Sequence, residues 1–372
     1  MKKFKNIIKY FLATSTIITT SVVSFSCAKN SNDNINEKQV YKLNLDLGDQ
    51  NKDLTQQLTT LLNNQLKNNG QKFKIEIINT SDSNYDSIRD KLNKGEIDFA
   101  FVSTGSLYSK EQEIKQSGLL IKLQTLTKKF KGDVNASNQT LKDLENIAKN
   151  EYQVFTKIPR EQWNDKENGM GWNGTIYTRA YDDHQNVPYQ RGLITILANE
   201  QDTKDIIEAW NNKDYKKFIS YKLGIGKSSS GSKYILPQAL LKKNFPNQFI
   251  SLKQLMAQGD AIAAKLSEPN SDVKIYFENE GFYGYNKVKN PDKYPLDSKF
   301  GRISFLTVTD KLPYNVGVFA KGIKKEVADA IALAFTQIND PWGPTQGFNG
   351  YKVINDSEQE FWNVINQSLW SK

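Results

Sequence analysis

The segment LGIGKSSSGSKYILPQALL, residues Leu223–Leu241, decides the fold class because it passes from a strand pattern to a helix pattern through one short turn. A brief apolar run leads into serines and a glycine, and an apolar-periodic run follows. The first N–H groups of a helix lack intrahelical partners, and the helix dipole makes that end positive. The turn therefore suits an anion, although serines at such a position can also serve only as helix caps.

A nucleotide-binding P-loop is excluded at this turn, although Gly226–Ser228 spells GKS. The P-loop motif requires a glycine five positions before its Gly-Lys pair, and this chain has Tyr221 there. General anion binding through backbone N–H groups and hydroxyl donors remains open. The hydroxyl donors of the turn are Ser228, Ser229, Ser230 and Ser232.

A second turn of the same kind follows the apolar strand pattern IDFAFV, where the chain continues STGSLYSK. It places Ser103, Thr104, Gly105 and Ser106 after a strand. Strand and helix patterns alternate from Tyr41 onward, which predicts an α/β fold with a parallel sheet covered by helices on both faces. Ligands of such folds bind beyond the carboxyl ends of the strands, and both turns fall there.

The N-terminus has the layout of a signal peptide over residues 1–26, with four lysines early and no charge from Tyr10 to Ala28. Its many Ser and Thr residues make it weakly apolar for a membrane span. The single cysteine, Cys27, follows it and resembles the acylated cysteine of a bacterial lipobox, although Ser24 and Phe25 depart from that pattern. A buried structural cysteine is the alternative, and the polar sequence after Cys27 disfavours it.

Residues 27–40 are predicted to be the lipidated cysteine and a flexible tether. Stable anchoring to a membrane takes two or three acyl chains, since one chain binds only reversibly. Removing the first 26 residues lowers the net charge from +9 to +5. Acidic and basic residues are mixed throughout, so we expect no nucleic-acid partner. A single cysteine leaves no disulfides, and burial alone must stabilise the core.

An aromatic-rich stretch, WNDKENGMGWNGTIYTRAYDDHQNVPYQRG, occupies Trp163–Gly192 and has little periodicity. It is too polar for a core, and long loops of this kind are often functional. Aromatic faces suit a flat or cationic ligand. A surface loop held together by its own aromatic rings is the alternative.

Three features together resemble the phosphonate-type periplasmic binding proteins of ABC transporters: GEIDFAFVSTGSLY, SSSGSKYILP and the late segment LPYNVGVFAKGI before a helix. More specifically, the chain resembles the mycoplasmal high-affinity transport lipoproteins, also described as extracytoplasmic thiamine-binding lipoproteins. The segments that carry this resemblance are WNGTIYTRAYD, QRGLITI, AWNNKDYKKF, GKSSSGSKYIL, ENEGFYGY, PYNVGVF and GFNGYKVI.

The resemblance implies a two-lobed, type II periplasmic-binding-protein-like α/β fold with a ligand cleft between lobes that close about a hinge. Lobe I would comprise residues 41–189 plus 316–372, and lobe II residues 190–315, with crossings near Gln190–Thr195 and Pro313–Val318. The protein would be a lipid-anchored receptor on the outer face of the cell membrane, serving an ABC importer. A separate permease and ATPase would be its partners.

The resemblance also implies the ligand residues. The serines Ser228, Ser229, Ser230 and Ser232 would hold a phosphate or phosphonate, faced by Ser103, Thr104, Ser106 and Tyr108. A thiamine-type ligand would add a cationic thiazolium and an aminopyrimidine. Its stacking residues would be Trp172, Tyr181, Phe282, Tyr283 and Tyr314, and its carboxylate would be Glu280. Tyr314 could instead pack the hinge, and Glu280 could be a solvated turn charge. Phosphate, a phosphonate, thiamine and thiamine pyrophosphate all remain possible ligands.

An enzyme is the main alternative, in the form of a surface phosphoesterase or nuclease. Only one histidine, His184, is present, next to two aspartates. Adjacent loop positions rarely converge on one ion, and no second histidine supports a metal site or a catalytic triad. We therefore expect no catalytic residues, no metal and no cofactor. A structural adhesin would show repeats or low-complexity tracts, and the sequence has neither beyond the tether.

Overall fold

The computed structural model describes residues 40–45, 51–66, 72–78, 84–133, 139–157, 175–284, 296–340, 343–355 and 358–370. The signal peptide, Cys27, the tether as far as residue 39, and Trp172 lie outside these residues. Within the described part of the chain, no helix is long and apolar enough to cross a membrane.

The strands of the described residues are β1 (Val40–Asn44), β2 (Lys74–Ile78), β3 (Phe99–Val102), β4 (Leu120–Phe130), β5 (Tyr181–Val187), β6 (Tyr189–Gln190), β7 (Gly192–Ala198), β8 (Leu223–Ile225), β9 (Ala261–Ala263), β10 (Ile275–Asn279), β11 (Asp297–Ser298), β12 (Gly301–Val308), β13 (Leu312–Pro313), β14 (Val316–Phe319) and β15 (Gly350–Val353).

The α-helices are α1 (Asn51–Leu66), α2 (Tyr85–Lys94), α3 (Thr104–Tyr108), α4 (Glu111–Ser117), α5 (Leu141–Lys157), α6 (Thr175–Ala180), α7 (Glu200–Asn211), α8 (Tyr215–Ile219), α9 (Leu236–Asn244), α10 (Leu252–Gln258), α11 (Lys325–Phe335) and α12 (Glu358–Trp370). A π-helical turn at Gly231–Ile235 precedes α9, and a 3₁₀ turn lies at Gly343–Gln346.

The first sheet has the strand order β15-β4-β14-β3-β1-β2, and β5 also pairs with β4. Strands β2, β1 and β3 are parallel, whereas β14, β4 and β15 are antiparallel to their neighbours. The parallel sheet that the sequence predicted is therefore present only in part, and the second sheet is mixed as well, because β7 is antiparallel to both β10 and β12. The reason is topological: β14 returns to the first sheet after the chain has passed through the second, and it enters from the opposite end. Phe99, Phe101 and Phe335 form the aromatic centre of this sheet's core.

The second sheet has the order β11-β12-β7-β10-β8-β9. Its central strand β7 is GLITILA and is buried along its whole length, as an uninterrupted apolar run predicts. Trp210, Phe218 and Phe245 form an aromatic cluster beneath it. Helix α5 packs against β12, and α12 packs against α9, so both helices contact elements of the second sheet.

The two sheets are joined by a short ladder in which β6 pairs with β13. Tyr189 lies opposite Pro313, and Gln190 lies opposite Leu312. The next hydrogen bond along the chain runs from the Tyr314 N–H to the Pro188 carbonyl, at 2.8 Å. Gln190, which precedes β7, and Pro313, which precedes β14, thus lie in neighbouring strands where the chain passes between the two sheets.

Candidate functional site

Both hydroxyl-rich turns are helix caps, as the simpler of the two interpretations predicted. The Ser103 hydroxyl accepts a hydrogen bond from the Ser106 N–H at the start of α3, at 3.2 Å. The Ser230 hydroxyl accepts one from the Lys233 N–H at the start of the π-helical turn, also at 3.2 Å. Strand β8, the turn and α9 follow each other as the sequence predicted, and capping accounts for one serine in each turn.

The two turns also touch each other, backbone to backbone. A Cβ atom at Gly105 would lie 2.4 Å from the Gly231 nitrogen and 2.7 Å from the Ser229 carbonyl oxygen. Such distances are not tolerated, so glycine at this position is a requirement of the contact. The turns that the sequence placed in separate segments are therefore one interface in the folded chain.

The carboxylate of Asp86, from the first turn of α2, joins the two turns. Its Oδ1 accepts a hydrogen bond from the Ser106 hydroxyl at 2.6 Å, and its Oδ2 accepts one from the Ser229 hydroxyl at 2.9 Å. Arg89 adds an ion pair at 3.1 Å. Partial burial opposes ionisation, but the two hydroxyls, Arg89 and Lys227 hold the pKa of Asp86 below its ordinary value. Asp86 is therefore a stable anion at this interface.

A cavity of about 70 Å³ lies beside the ladder that joins the two sheets. Its aromatic lining residues are Phe130, Tyr181, Tyr189 and Tyr314. Its charged lining residues are Lys128, Asp133, Arg191 and Glu280. Aromatic faces and a few convergent polar groups are the usual composition of a small-molecule site.

The hydroxyl-rich turns donate hydrogen bonds to residues that line this cavity. The Thr104 hydroxyl donates to the Tyr314 carbonyl at 2.7 Å. The Ser232 hydroxyl donates to the side-chain oxygen of Asn279, which also lines the cavity. Thr104 is fully buried and Ser232 nearly so, whereas Ser228 is exposed.

A buried ion pair forms part of the cavity lining. Arg191 donates to Asp133 at 3.0 Å, and both side chains are almost inaccessible to solvent. Arg191 also donates to the Thr309 carbonyl at 2.7 Å, and the Tyr189 hydroxyl donates to Asp133 at 2.6 Å. Burial alone would raise the pKa of Asp133, but Arg191, Tyr189 and Lys311 hold it below its ordinary value. The Arg191 Nε has no hydrogen-bond partner among the described residues.

Glu280, in the lining of the same cavity, lies near a second buried carboxyl group, on Glu151. Oε1 of Glu280 and Oε2 of Glu151 are both buried without a hydrogen-bond partner among the described residues. Burial raises the pKa of Glu280 to about 7, with Arg191 and Lys311 opposing the rise. Burial and the neighbouring Glu280 raise the pKa of Glu151 further, well above its ordinary value. One of the two groups therefore readily holds a proton near neutral pH.

The turn that positions Glu280 depends on a glycine. Gly281 has φ +75°, and a Cβ atom there would lie 2.6 Å from the hydroxyl oxygens of both Tyr177 and Tyr181. The Tyr177 hydroxyl donates to the Gly281 carbonyl at 2.6 Å, and the Gly281 N–H donates to Glu151. This enclosure fixes the backbone directly after Glu280.

The sequence-predicted ligand residues divide into three groups. Tyr181, Glu280 and Tyr314 line the cavity. Phe282 and Tyr283 lie in the core against Phe305, which favours a packing role for both. The hydroxyl residues form or support the interface described above, and Tyr108 is half-buried against the core. Their contact with a ligand stays a prediction, as does that of Trp172.

Among the cavity residues, Asp133, Arg191 and Asn279 were not predicted from the sequence, whereas Tyr189 belongs to the aromatic-rich stretch. The sequence carries one indication of Arg191, because this charged residue stands directly before the apolar strand β7. A buried arginine requires a partner. Its partner lies far away in sequence. His184 is exposed, and the described residues contain no cluster of three groups able to hold a metal ion.

Comparison with known proteins identifies a family and several relatives. Residues 49–369 match the family profile described as extracytoplasmic thiamine-binding lipoprotein. The high affinity transport system protein p37 of Mycoplasma pneumoniae is 26% identical over 99% of this chain and its own full length. The p37 protein of Mesomycoplasma hyorhinis is 31% identical over 60% of this chain and 57% of its own.

A solved structure shares the fold. The Mycoplasma hyorhinis protein Mh-p37, described as a candidate thiamine pyrophosphate transporter, superposes with a TM-score of 0.77 at 24% identity. The match covers 89% of this chain and 99% of that one. The predicted α/β fold of the periplasmic-binding-protein kind is confirmed.

Proposed function

Because this chain belongs to the family of extracytoplasmic thiamine-binding lipoproteins, we propose that it binds a thiamine-type ligand in the cavity between its two sheets. It is a solute-binding receptor of a transport system, and its relatives are transport proteins rather than enzymes. The phosphoesterase or nuclease alternative is therefore set aside.

The observation that carries the ligand proposal is that Oε1 of Glu280, in an aromatic-lined cavity, has no hydrogen-bond partner in the part of the chain that the structure describes. A thiamine-type molecule carries a cationic thiazolium and an aminopyrimidine with N–H donors. The carboxylate provides an acceptor and a negative charge, and Tyr181 and Tyr314 provide aromatic faces for the cation. Arg191 Nε adds an unpartnered donor on the same cavity wall. A donor and an acceptor together match the edge of an aminopyrimidine ring.

Ligand entry requires the two sheets to separate. The cavity measures about 70 Å³, whereas sites for small molecules usually measure roughly 300–1,000 Å³. We propose rotation about the β6–β13 ladder, between a lobe I of residues 41–189 plus 316–372 and a lobe II of residues 190–315. Helix α5 is the exception to this division: it falls within residues 41–189, but it would move with lobe II, because it packs against β12 and Trp210 donates to Glu145 at 3.0 Å. A few hinge residues suffice for such closure.

The location and the partners follow the same proposal. Acylation of Cys27 would anchor the mature chain to the outer face of the cell membrane, with residues 28–40 as a tether. An ABC permease and its ATPase would receive the ligand, because a receptor of this kind has no channel of its own. No cofactor takes part in the proposed binding.

Calorimetric titration with thiamine tests the role of Glu280. The variant Glu280→Gln keeps the shape of the side chain and removes its charge. Hydrogen bonds to charged groups contribute roughly 1.5–3 kcal/mol, so we expect an affinity about 10- to 100-fold lower than that of wild type.

The matched control is Glu208→Gln, which neutralises an exposed glutamate on α7 and should bind as wild type does. Equal affinities for wild type and Glu280→Gln would contradict the assignment of Glu280. Absence of thiamine binding by wild type would contradict the ligand class.

A further inference from the structure

Asp86 is oriented by its neighbours in lobe I and also contacts lobe II. Its Oδ1 accepts a hydrogen bond from the Ser106 hydroxyl at 2.6 Å, and Arg89 pairs with the same oxygen at 3.1 Å. Arg89 is itself fixed, because it also donates to the Ser106 carbonyl at 3.1 Å. The other oxygen of Asp86, Oδ2, accepts a hydrogen bond from the Ser229 hydroxyl at 2.9 Å. The bond to Ser229 is therefore a contact between the proposed lobes, made by a carboxylate that is already oriented.

This bond requires a close approach of the two lobes. It forms beside the backbone contact of Gly105 with Gly231, where a single added Cβ atom would already be too close. A hydrogen bond between two oxygens spans about 2.5–3.0 Å and is no longer made at about 3.6 Å. A displacement of less than about 1 Å between the turns thus breaks the bond between Asp86 and Ser229. The partners of Asp86 within lobe I move with it and stay bound.

The two turns transmit this restraint to the cavity. In lobe I, Thr104 donates to the Tyr314 carbonyl at 2.7 Å, and in lobe II, Ser232 donates to the side chain of Asn279. Both acceptors belong to residues that line the cavity. The bond between the turns therefore holds the cavity walls together from outside the lining.

We propose that Asp86 and Ser229 form a latch between the lobes, which favours the closed arrangement and slows the release of a bound ligand. This inference rests on the proposed function, because it requires lobes that separate for ligand entry. Asp86 and Ser229 are positioning residues, since they act through the cavity walls and not through contact with the ligand. A receptor with such a latch populates the closed state more before ligand arrives, so the ligand spends less of its binding free energy on closure.

Small-angle scattering of the ligand-free protein tests the latch without reference to any ligand. The variant Ser229→Ala removes the hydroxyl, whereas Asp86 keeps its charge and its partners in lobe I. Losing a hydrogen bond to a charged group shifts an equilibrium roughly tenfold or more, so we expect a larger radius of gyration than that of wild type. The matched control, Ser228→Ala, removes an exposed hydroxyl from the same turn and should scatter as wild type does.

The rate of thiamine dissociation provides the second measurement. We expect it to rise roughly tenfold in Ser229→Ala, while the association rate changes less, because the latch acts once the lobes have closed. Asp86→Ala should also raise the dissociation rate. Adding Ser229→Ala to that variant should cause no further rise, because the same bond is already missing. A general effect of each substitution on folding would not produce this lack of additivity.

The latch would be overturned by a folded Ser229→Ala variant that matches wild type in radius of gyration or in dissociation rate. A further, multiplicative rise of the dissociation rate in the double variant would overturn it as well, since the two side chains would then act separately. Absence of thiamine binding by wild type would overturn the proposed ligand instead. The scattering of the ligand-free variants would then still decide whether the latch exists.

Discussion

At the scale of one residue, the buried carboxyl group of Glu280 is the group that the proposed ligand would pair with. Its Oε1 is buried without a hydrogen-bond partner among the described residues, near a second buried carboxyl group on Glu151. Such groups are costly to the fold unless something else pairs with them. A cationic ligand with N–H donors would supply that pairing. Binding would then remove the unfavourable free energy of the unpaired carboxyl group, and this gain would add to the affinity.

The pH dependence of stability follows from the same residue. The pKa of Glu280 is raised to about 7 by burial, so the folded state holds the proton more tightly than the unfolded state. That stabilising contribution is complete below the ordinary carboxyl pKa and is lost as the pH rises through about 7. We expect the melting temperature to fall between about pH 4.5 and about pH 7 and to level off above that, and to fall less in Glu280→Gln.

Thiamine affinity should change in the opposite direction, because the cation requires the ionised carboxylate. It should rise over the same pH interval, by at most about tenfold per pH unit for one proton. Thermal melting and calorimetry at matched salt concentrations would measure both effects. The same melting slope in wild type and Glu280→Gln would show that another group controls this interval.

The sequence predicted some of these residues and could not predict others. Tyr181, Glu280 and Tyr314 were named through the family resemblance, and they line the cavity. Arg191 pairs with Asp133 across 58 positions of sequence. The sequence around either residue does not indicate this pairing, because the pair forms only when the two sheets come together.

At the scale of elements, the hydroxyl-rich turns were predictable and their meeting was not. Each strand, turn and helix follows from local patterns, and α2 ends at Gly95 in the left-handed conformation that its sequence predicts. Contact between the turns is set by the arrangement of the two sheets. The antiparallel return of β14 is likewise a property of the chain path, which periodicity does not encode.

The variant Gly105→Ala tests the contact between the turns. Its Cβ would meet backbone atoms of Gly231 and Ser229, which cannot rotate away. Overpacking of this kind costs roughly 1–3 kcal/mol, so we expect a larger radius of gyration by small-angle scattering and thiamine affinity reduced about tenfold.

A matched control is Gly231→Ala, whose Cβ would meet mainly the Leu312 side chain at 2.8 Å. That side chain can shift, so the expected effect is smaller. If Gly105→Ala matches wild type in both scattering and affinity, the turns do not need to meet for the ligand to bind.

At the scale of the whole molecule, the fold, the cavity and the family all support the function of a solute-binding receptor. Two α/β sheets are joined by a two-stranded ladder, and the cavity lies beside that ladder. A ligand placed there contacts both sheets, so it stabilises the closed arrangement by its contacts with each. Cys27 and Trp172 lie outside the described residues, and their roles stay predictions.

Mass spectrometry of the small molecule released from gently purified full-length protein tests the central claim most directly. The account predicts a thiamine-type molecule, bound at about one per chain, because a single cavity provides both the carboxylate and the aromatic faces. The same protein prepared with Glu280→Gln should retain much less of it. Release of a simple phosphonate or phosphate ester with no cationic ring, equally from both proteins, would contradict the account.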